Sequence, residues 1–372
     1  MSKQGVCIKR FVIPVVLSFL MLFTAMMSPS FAAAPNGAAK AASFGDKDPS
    51  EKITLLVALK ERKREKRTGL PSVDAEDLNT RENIRAQVAY ARAARETFYK
   101  SLKDAGIKYN VVETYDVAYT GVALEVQRKD IGAIENMTDV ASVEISQQFK
   151  APKKPIMPRS FGKTDISSNN MVEANKAWEK SYAGKGSVIA VIDSGVDPYH
   201  EAMKLSDPNS GRIKSQGEVK KLIDDLDIAR GEYFSSKIPF GYNYANKSTS
   251  IKEFDPMSHG MHVSGIVAGN SKKIQGVAPE AQIVFMRVFG GGVFGNGTSA
   301  EIYTKAIDDA IKLGVDSMNI SIGSPAGTED YVFPNTVLAL EKAKQAGILV
   351  AIAAGNNGFF GYSPGSNSKP KA

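Results

Sequence analysis

The sequence predicts an α/β protein: a doubly wound parallel sheet from residue 169 onward, preceded by a small α+β domain of the ferredoxin-like kind. In the C-terminal half, apolar strand-like runs alternate with helical patterns, as expected when helices cover both faces of a parallel sheet. In residues 51–150 the predicted elements follow the order β-α-β-β-α-β, the split arrangement of ferredoxin-like units.

The chain begins with a segment typical of secretion. Three basic residues precede an apolar run at residues 11–27, and small residues follow at 30–34. This pattern predicts a secretory signal peptide, residues 1–34. A transmembrane anchor is the alternative, but Pro14 and Ser18 interrupt the run, which is short for a span of about 20 residues. We expect a bacterial protein that is secreted or held at the cell envelope, with no membrane contact once the signal is removed.

The composition argues against a nucleic-acid partner. The chain is 43% hydrophobic and 23% charged, which is typical of a globular protein, and its net charge is +7. The one dense basic run, residues 60–67, contains Glu61 and Glu65 and lacks the aromatic residues that stack on bases. The only cysteine, Cys7, lies in the predicted signal, so the mature chain is expected to form no internal disulfide.

The small domain, residues 51–150, follows a linker at 35–50. Its predicted strands are Ile53–Leu59, Ile107–Glu113, Tyr119–Val126 and Val140–Ile145, and its predicted helices are Arg81–Lys103 and Lys129–Met137. The longer helix carries an apolar stripe of Ile84, Val88, Ala91, Arg95 and Phe98. A proline-rich second linker, residues 151–168, closes the domain.

The large domain, residues 169–372, is predicted to alternate strands and helices. The strands are Ser187–Ile192, Ile283–Val288, Ser317–Ile322 and Ile348–Ala353. The helices are Val172–Glu179, one from His259, one from Ser299 and Asn335–Gln345. In such sheets, functional residues gather beyond the carboxyl ends of the strands.

Three polar motifs follow or lie close to those strand ends. Asp193 ends an apolar strand, His259 and His262 lie three residues apart in "HGMHVSG", and Asn356 follows a buried strand in "AAGNNG". Taken singly, each has an ordinary interpretation: a turn former or metal ligand, a core histidine or half of a metal site, and a plain turn. The H-E-x-x-H spacing of zinc proteases is absent from these motifs.

In this order the three motifs resemble the catalytic domain of the subtilisin family of serine proteases. The segment "KIPFGYNYANKS" and the long gap between Asp193 and His259 are closest to the lactocepin and cell-envelope proteinase branch. Residues 51–150 resemble the inhibitor-type propeptide that precedes such domains. The resemblance therefore implies a secreted endopeptidase precursor, with an incomplete subtilisin-like sheet and its own propeptide as an intramolecular inhibitor.

The resemblance also implies roles for single residues. His259 would be the general base, Asp193 would orient its imidazole, and Asn356 would donate a hydrogen bond to the oxyanion, while His262 is expected to be structural. Extended polypeptide would pair between two edge segments, and a third segment would line the pocket for the residue before the scissile bond. These segments are Gly295, Asn296 and Gly297; Ser321, Ile322 and Gly323; and Ala353, Ala354 and Gly355. No cofactor is required for the chemistry; calcium often supports this family, but its site here is unknown.

The nucleophile is not found among these 372 residues. In the family it follows the oxyanion asparagine in a Gly-Thr-Ser motif, whereas the Gly-Thr-Ser of this chain ends at Ser299, before that asparagine. Thr298 and Glu301 have the spacing of a capping box, so we interpret Ser299 as part of a helix start. The expected precursor is thus truncated before its catalytic serine and inactive as it stands.

Two other functions remain as alternatives. The glycines from Gly290 to Gly295 fit a dinucleotide fingerprint, but the next strand ends without the acidic residue that holds the ribose. The chain could instead be a non-enzymatic propeptide or pseudo-protease that inhibits a related enzyme in trans. For the precursor itself, Val143–Pro158 resembles the propeptide tail that occupies the cleft, and the mature chain is expected to begin between Gln147 and Asn175.

Overall fold

A computed structural model of the chain describes residues 48–61, 78, 80–150, 165–252, 259–290, 297–321 and 334–353. The predicted signal peptide and most of both predicted linkers lie outside these ranges. From Asp48 onward the described residues belong to one compact unit. None of the helices in these ranges is long and apolar enough to cross a membrane.

In the region predicted as the small domain, the elements are β1 (Lys52–Leu59), α1 (Arg81–Asp104), β2 (Asn110–Tyr115), β3 (Gly121–Gln127), α2 (Ile131–Glu135), β4 (Val140–Ile145) and β5 (Gln148–Lys150). Those that follow, which we call the large domain, are α3 (Asp165–Met171), α4 (Ala174–Glu179), β6 (Val188–Asp193), α5 (Gln216–Leu226), β7 (Phe240–Asn243), α6 (His259–Ala268), β8 (Gln282–Arg287), β9 (Gly297–Ser299), α7 (Ala300–Leu313), β10 (Ser317–Ile320), α8 (Pro334–Gln345) and β11 (Leu349–Ile352).

The small domain is built on an antiparallel sheet of order β2-β3-β1-β4. Successive residues of a strand point to opposite faces, and β1 is buried on both. Leu55 and Val57 pack with Phe98 of α1 in the domain's own core. Leu56 and Ala58 instead belong to a core that continues into the large domain. The small sheet therefore has helices on one face and the large domain on the other.

The large domain is built on a parallel sheet of order β11-β10-β6-β8-β7. All six residues of β8 are buried, as expected for a strand covered on both faces. The predicted doubly wound α/β architecture is confirmed, with the sheet's parallel strands connected through helices.

Helix α7 lies between the two sheets, in contact with both domains. All of its 14 residues except Ile302 are buried. Its apolar residues, including Ala306 and Ala310, join the shared core. Asp308 and Lys312 contact the small domain, which covers a face that a surface helix would present to water.

Several elements differ from the prediction. Helix α3 occupies the last four residues of the predicted linker 151–168, so that linker boundary is wrong; the Asn169 side chain donates to the Gln275 carbonyl and holds the helix against the large domain. Helix α5 was not predicted, although Ser215 and Glu218 form a capping pair in which the Ser215 hydroxyl accepts from the Glu218 amide at 3.3 Å. The three edge strands β5, β7 and β9 were also missed.

Candidate active site

The carboxyl ends of three parallel strands bring predicted site residues to one edge of the large sheet. Asp193 is the last residue of β6, Ser321 follows β10, and Ala353 follows β11. The register pairs Ile320 with Ile192 on one side and with Ile352 on the other, so the three strand ends are level. This edge is where open α/β sheets bind their ligands.

Asp193 and His259 are in direct contact at this edge. The Asp193 side chain is fully buried, and its Oδ1 lies 2.8 Å from His259 Nδ1 and accepts the Ser194 amide at 2.7 Å. An ionised carboxylate can only accept hydrogen bonds, so a neutral His259 in this pair carries its proton on Nδ1. The imidazole is held in one tautomer and one orientation, with 27% of the side chain exposed.

A close backbone approach brings the two residues together across 66 positions of sequence. The Gly260 amide donates to Ser194 Oγ at 3.0 Å, and a Cβ at Gly260 would lie 2.4 Å from the Gly195 carbonyl oxygen. Only glycine therefore lets the first turn of α6 meet the turn after β6. Ser194 and Gly260 are positioning residues that the sequence analysis did not single out, although both lie inside the motifs it used.

Arg287 ties the chain at Lys252 to the sheet. It is opposite Asp193 in the sheet register, and its Nη1 donates to the Lys252 carbonyl at 2.7 Å. Lys252 in turn contacts Asp197 at 2.9 Å, and this hydrogen bond lowers the pKa of the Asp197 carboxyl. The chain on both sides of the Asp193 and His259 pair is thus tied to the sheet.

The predicted substrate-binding residues are only partly described. Gly297 lies in β9, the Ser321 hydroxyl accepts the Asn319 side-chain amide at 2.8 Å, and the Ala353 backbone amide donates to the Ile320 carbonyl at 3.1 Å. The other predicted residues, Gly295, Asn296, Ile322, Gly323, Ala354, Gly355 and Asn356, lie outside the described residues.

The edge strand β9 is paired with the last strand of the small domain. Strand β5 runs antiparallel to it, with Gln148 opposite Ser299 and Lys150 opposite Gly297. Phe149 of β5 packs edge-on against the Tyr303 ring, with 5.4 Å between the ring centroids. An extended segment of the chain therefore lies against one of the two predicted substrate edges, as an added strand.

Ser299 is a buried structural residue in this arrangement. It is 2% exposed, and its hydroxyl donates to Glu301 Oε1 at 2.6 Å. The predicted capping box is wrong in detail: Ser299 rather than Thr298 is the N-cap of α7, and it makes no side-chain capping bond. The Glu301 carboxylate accepts the Ser299 hydroxyl with Oε1 and the Ser146 hydroxyl of the small domain with Oε2.

In the part of the chain that the structure describes, neither His262 nor the acidic side chains form a second candidate site. His262 is exposed on α6, one turn from His259. Among the described residues, no three or more His, Cys, Asp or Glu side chains cluster so as to hold a metal ion. No calcium ligands can therefore be named within these ranges.

Comparison with protein families and curated sequences identifies relatives among proteases. The sequence profile of the Subtilase family matches residues 184–372. The chain is similar to the PI-type proteinase of Lactococcus lactis subsp. cremoris, with 33% identity over 257 residues, 67% of this chain and 13% of that protein. It is also similar to the C5a peptidase of Streptococcus pyogenes serotype M3, with 33% identity over 236 residues, 62% of this chain and 20% of that peptidase.

A solved structure shares the fold. The crystal structure of the epidermin leader peptide processing serine protease (EpiP) S393A mutant from Staphylococcus aureus superposes with a TM-score of 0.51 and 20% identity. The match covers 83% of this chain and 62% of that structure. Against its curated relatives, the chain spans only a small part, 13% of the lactococcal proteinase.

Proposed function

The chain belongs to the subtilase family, and from this premise we propose that it is the N-terminal part of a serine endopeptidase precursor that cleaves extended polypeptides. The observation that carries the proposal is the contact of 2.8 Å between His259 Nδ1 and Asp193 Oδ1 at the carboxyl edge of the parallel sheet. A buried carboxylate that fixes an imidazole tautomer is the arrangement by which a histidine serves as general base for a hydroxyl nucleophile.

In this mechanism His259 takes the proton from a serine hydroxyl as that oxygen attacks the scissile carbonyl. Asp193 stabilises the imidazolium that forms, and His259 then gives the proton to the leaving amine. A water molecule repeats the cycle on the acyl-enzyme and regenerates the serine. Asp193 keeps its own charge throughout, since its Oδ1 is already held by His259 and the Ser194 amide.

Asn356 is proposed to donate its side-chain amide to the oxyanion of the tetrahedral intermediate. In subtilisin, loss of the equivalent donor lowers turnover by about 10²–10³-fold. The substrate is proposed to lie between the segments of Gly297 and Ser321, with Ala353 at the pocket before the scissile bond. Gly297 lies in the edge strand β9, and Ser321 and Ala353 lie at the carboxyl edge of the parallel sheet.

The small domain is proposed to be a propeptide that inhibits the large domain until it is removed. Its support is the pairing of β5 with β9, since a strand bound at that edge occupies the place of substrate. Together with the N-terminal signal pattern, this indicates a secreted zymogen that acts outside the cell or at the cell envelope, with mature chains beginning between Gln147 and Asn175.

The nucleophile is proposed to be none of the serines in residues 1–372. Ser299 is the only one in a Gly-Thr-Ser motif, and its hydroxyl donates to Glu301 instead of to an imidazole. A fluorophosphonate probe should therefore leave this polypeptide unlabelled, and Ser299→Ala should behave identically. Labelling of Ser299 would overturn the assignment.

The decisive test uses the longer polypeptide that is expressed when the coding sequence is continued beyond position 372. We expect peptide hydrolysis and a single label at a downstream serine. His259→Ala and Asp193→Asn should each lower kcat by about 10⁴-fold or more. The matched control is His262→Ala, an exposed histidine one turn along the same helix, which should keep kcat/KM within a few-fold.

The competing function is a non-enzymatic inhibitor or pseudo-protease. A stop codon without a downstream serine motif, together with inhibition of a related protease by the added chain, would favour it. Hydrolysis that survives His259→Ala would contradict both functions, because neither predicts catalysis without this base.

A further inference from the structure

Six charged side chains are buried together where the small domain meets α7. We call them the interface ion cluster; each is 7% exposed or less, and three are cations and three carboxylates. The small domain supplies Arg95 and Asp116, and α7 supplies Lys305, Asp308, Asp309 and Lys312. Charged side chains are rarely buried unless they are paired.

Asp308 is bound by the small domain as an anion. Its Oδ1 accepts three successive backbone amides, those of Asp116 at 2.9 Å, Val117 at 2.8 Å and Ala118 at 2.8 Å. Successive amides that converge on one point form a concave anion site. The carboxylate of one domain therefore fills a backbone cradle of the other.

Lys312 bridges the carboxylates of the two domains. Its Nζ lies 2.5 Å from Asp116 Oδ2 and 3.0 Å from Asp308 Oδ2, and it also donates to the Asp227 carbonyl at 3.0 Å. Arg95 contacts the other oxygen of Asp116 at 2.7 Å. The two acidic groups can approach each other only because these cations separate and neutralise them.

Neighbouring groups stabilise the charged forms of Asp308 and Lys305. Burial by itself would raise the pKa of Asp308, but Lys312, Lys305 and the Ala118 amide hold that pKa well below its usual value. Burial would likewise lower the pKa of Lys305, but Asp309 and Asp308 hold it above its usual value. The charge of Asp308 thus depends partly on the small domain, which contributes the Ala118 amide.

Ion pairs at the rim of the same interface are more exposed than the interface ion cluster. Arg81 with Glu218, Arg85 with Asp225 and Lys342 with Glu61 join the domains through partly exposed side chains. Exposed pairs of this kind contribute little to association. A buried pair also adds little against an apolar replacement of both partners, but removing one partner leaves an uncompensated buried charge, which is strongly unfavourable.

We propose that the interface ion cluster makes the large domain selective for its own small domain. A domain without a carboxylate at position 116 and three free amides beside it would bury Lys312 without its second carboxylate and Asp308 Oδ1 without its three donors, so it would be rejected. Once the small domain has left, Asp308 Oδ1 and Lys312 Nζ lose their partners in that domain and water can replace them, whereas Asp309 keeps the Ala229 amide and the Tyr244 hydroxyl of the large domain. This inference rests on the proposal that the small domain is a separable inhibitor.

The test measures how fast the small domain leaves the large domain. A specific protease site placed between residues 151 and 164 is cut after folding, the complex is immobilised through its C-terminal end, and release of the small fragment is followed. We expect Asp116→Asn and Lys312→Met each to speed release by about 100-fold or more. The matched control, Arg85→Gln in a rim pair, should change the rate by less than about 5-fold.

The double variant Asp116→Asn with Lys312→Met distinguishes charge matching, on which the proposed selectivity depends, from two independent contributions to affinity. It leaves two cations facing two carboxylates, so its release rate should return to within about 10-fold of wild type. Effects that multiply in the double variant, or single variants that release at the wild-type rate, would overturn the proposal. If the wild-type fragment itself fails to stay bound, the inhibitor function fails instead, so the two failures are distinguishable.

A second measurement covers the case in which a single variant does not fold as a cut complex. In the uncut chain, Asp308→Asn should speed hydrogen exchange of the amides at residues 116–118 by about 10-fold or more, because they lose a charged acceptor. The amide of Leu124, in the centre of the small sheet, serves as the internal reference. Unchanged exchange at residues 116–118 would also overturn the proposal.

Discussion

At the scale of single residues, the site depends on atoms that have no chemical role in the proposed reaction. Asp193 and His259 meet because the Ser194 hydroxyl accepts the Gly260 amide and because no side chain separates the backbone at Gly260 from Gly195. Ser194 and Gly260 lie inside the sequence motifs, but their spacing does not show that they touch across 66 positions. Only the folded backbone reveals that Gly260 is needed for close approach.

Gly260→Ala should therefore destabilise the chain and separate the pair. A Cβ would lie 2.4 Å from the Gly195 carbonyl oxygen, so the backbone must shift, at a cost of about 1–3 kcal/mol in the free energy of unfolding. Urea unfolding measures this change. The control is Gly132→Ala, where a Cβ meets nothing within 4 Å and stability should be unchanged or rise by up to about 1 kcal/mol. Equal effects at both positions would contradict the steric account.

At the scale of elements, most strands and helices follow from periodicity. Strand β4 has the predicted bounds, and α1 extends only one residue beyond them. The stripe of α1 is buried as expected, including Arg95, whose charge is matched by Asp116. Strands β5, β7 and β9 were missed because short edge strands depend on a partner that is distant in sequence. Glu301 also shows that a local pattern does not predict a distant partner: its spacing predicted a capping box, but its side chain accepts the Ser146 hydroxyl.

The start of α8 gives a prediction for pH dependence. Glu144 of the small domain accepts the amides of Asn335 and Thr336 at the first turn of this helix. Burial raises the pKa of Glu144 above 4.5, although these hydrogen bonds oppose the shift. Because the folded state holds this proton more tightly than the unfolded state, the stabilising contribution of protonated Glu144 is fully present below about pH 4.5 and is lost as the pH rises through the raised pKa.

Glu144→Gln should remove this slope from a profile of unfolding free energy against pH. The matched control, Glu125→Gln, changes an exposed carboxyl whose pKa is lowered by hydrogen bonds from Lys52 and Asn110. Stability from Glu125 is present above its unfolded pKa and lost as the pH falls, so that variant should remove a slope of the opposite sign. Two profiles that change in the same direction would refute the assignment.

At the scale of the whole molecule, the two domains share one apolar core. Leu56 and Ala58 of the small sheet pack in the same cluster as Ile307 and Ile311 of α7. The polar side of α7 meets the small domain through the interface ion cluster, so the helix is covered on both sides. We therefore expect the domains to unfold together, even though the sequence pattern predicts two domains.

Leu56→Ala should report this coupling. Loss of a fully buried leucine at the shared core should cost about 2–5 kcal/mol. The single tryptophan, Trp178, lies in the large domain, so its fluorescence and the far-UV circular dichroism of the whole chain should shift to the same lower urea midpoint. Val111→Ala, at a half-exposed position of the small sheet, is the control and should move neither signal by much. Separate transitions for the two probes would show independent domains.

Hydrophobic periodicity and motif order are properties of neighbouring residues, so they were enough to predict the α/β architecture, the order of most elements and the motifs that carry Asp193 and His259. The family resemblance implied that Asp193 orients His259, but the distance between them, the pairing of β5 with β9 and the burial of the α7 charges against Asp116 and Arg95 came from the folded structure. Each of these contacts joins residues remote in the chain, and local pattern does not encode which remote residue will be the partner.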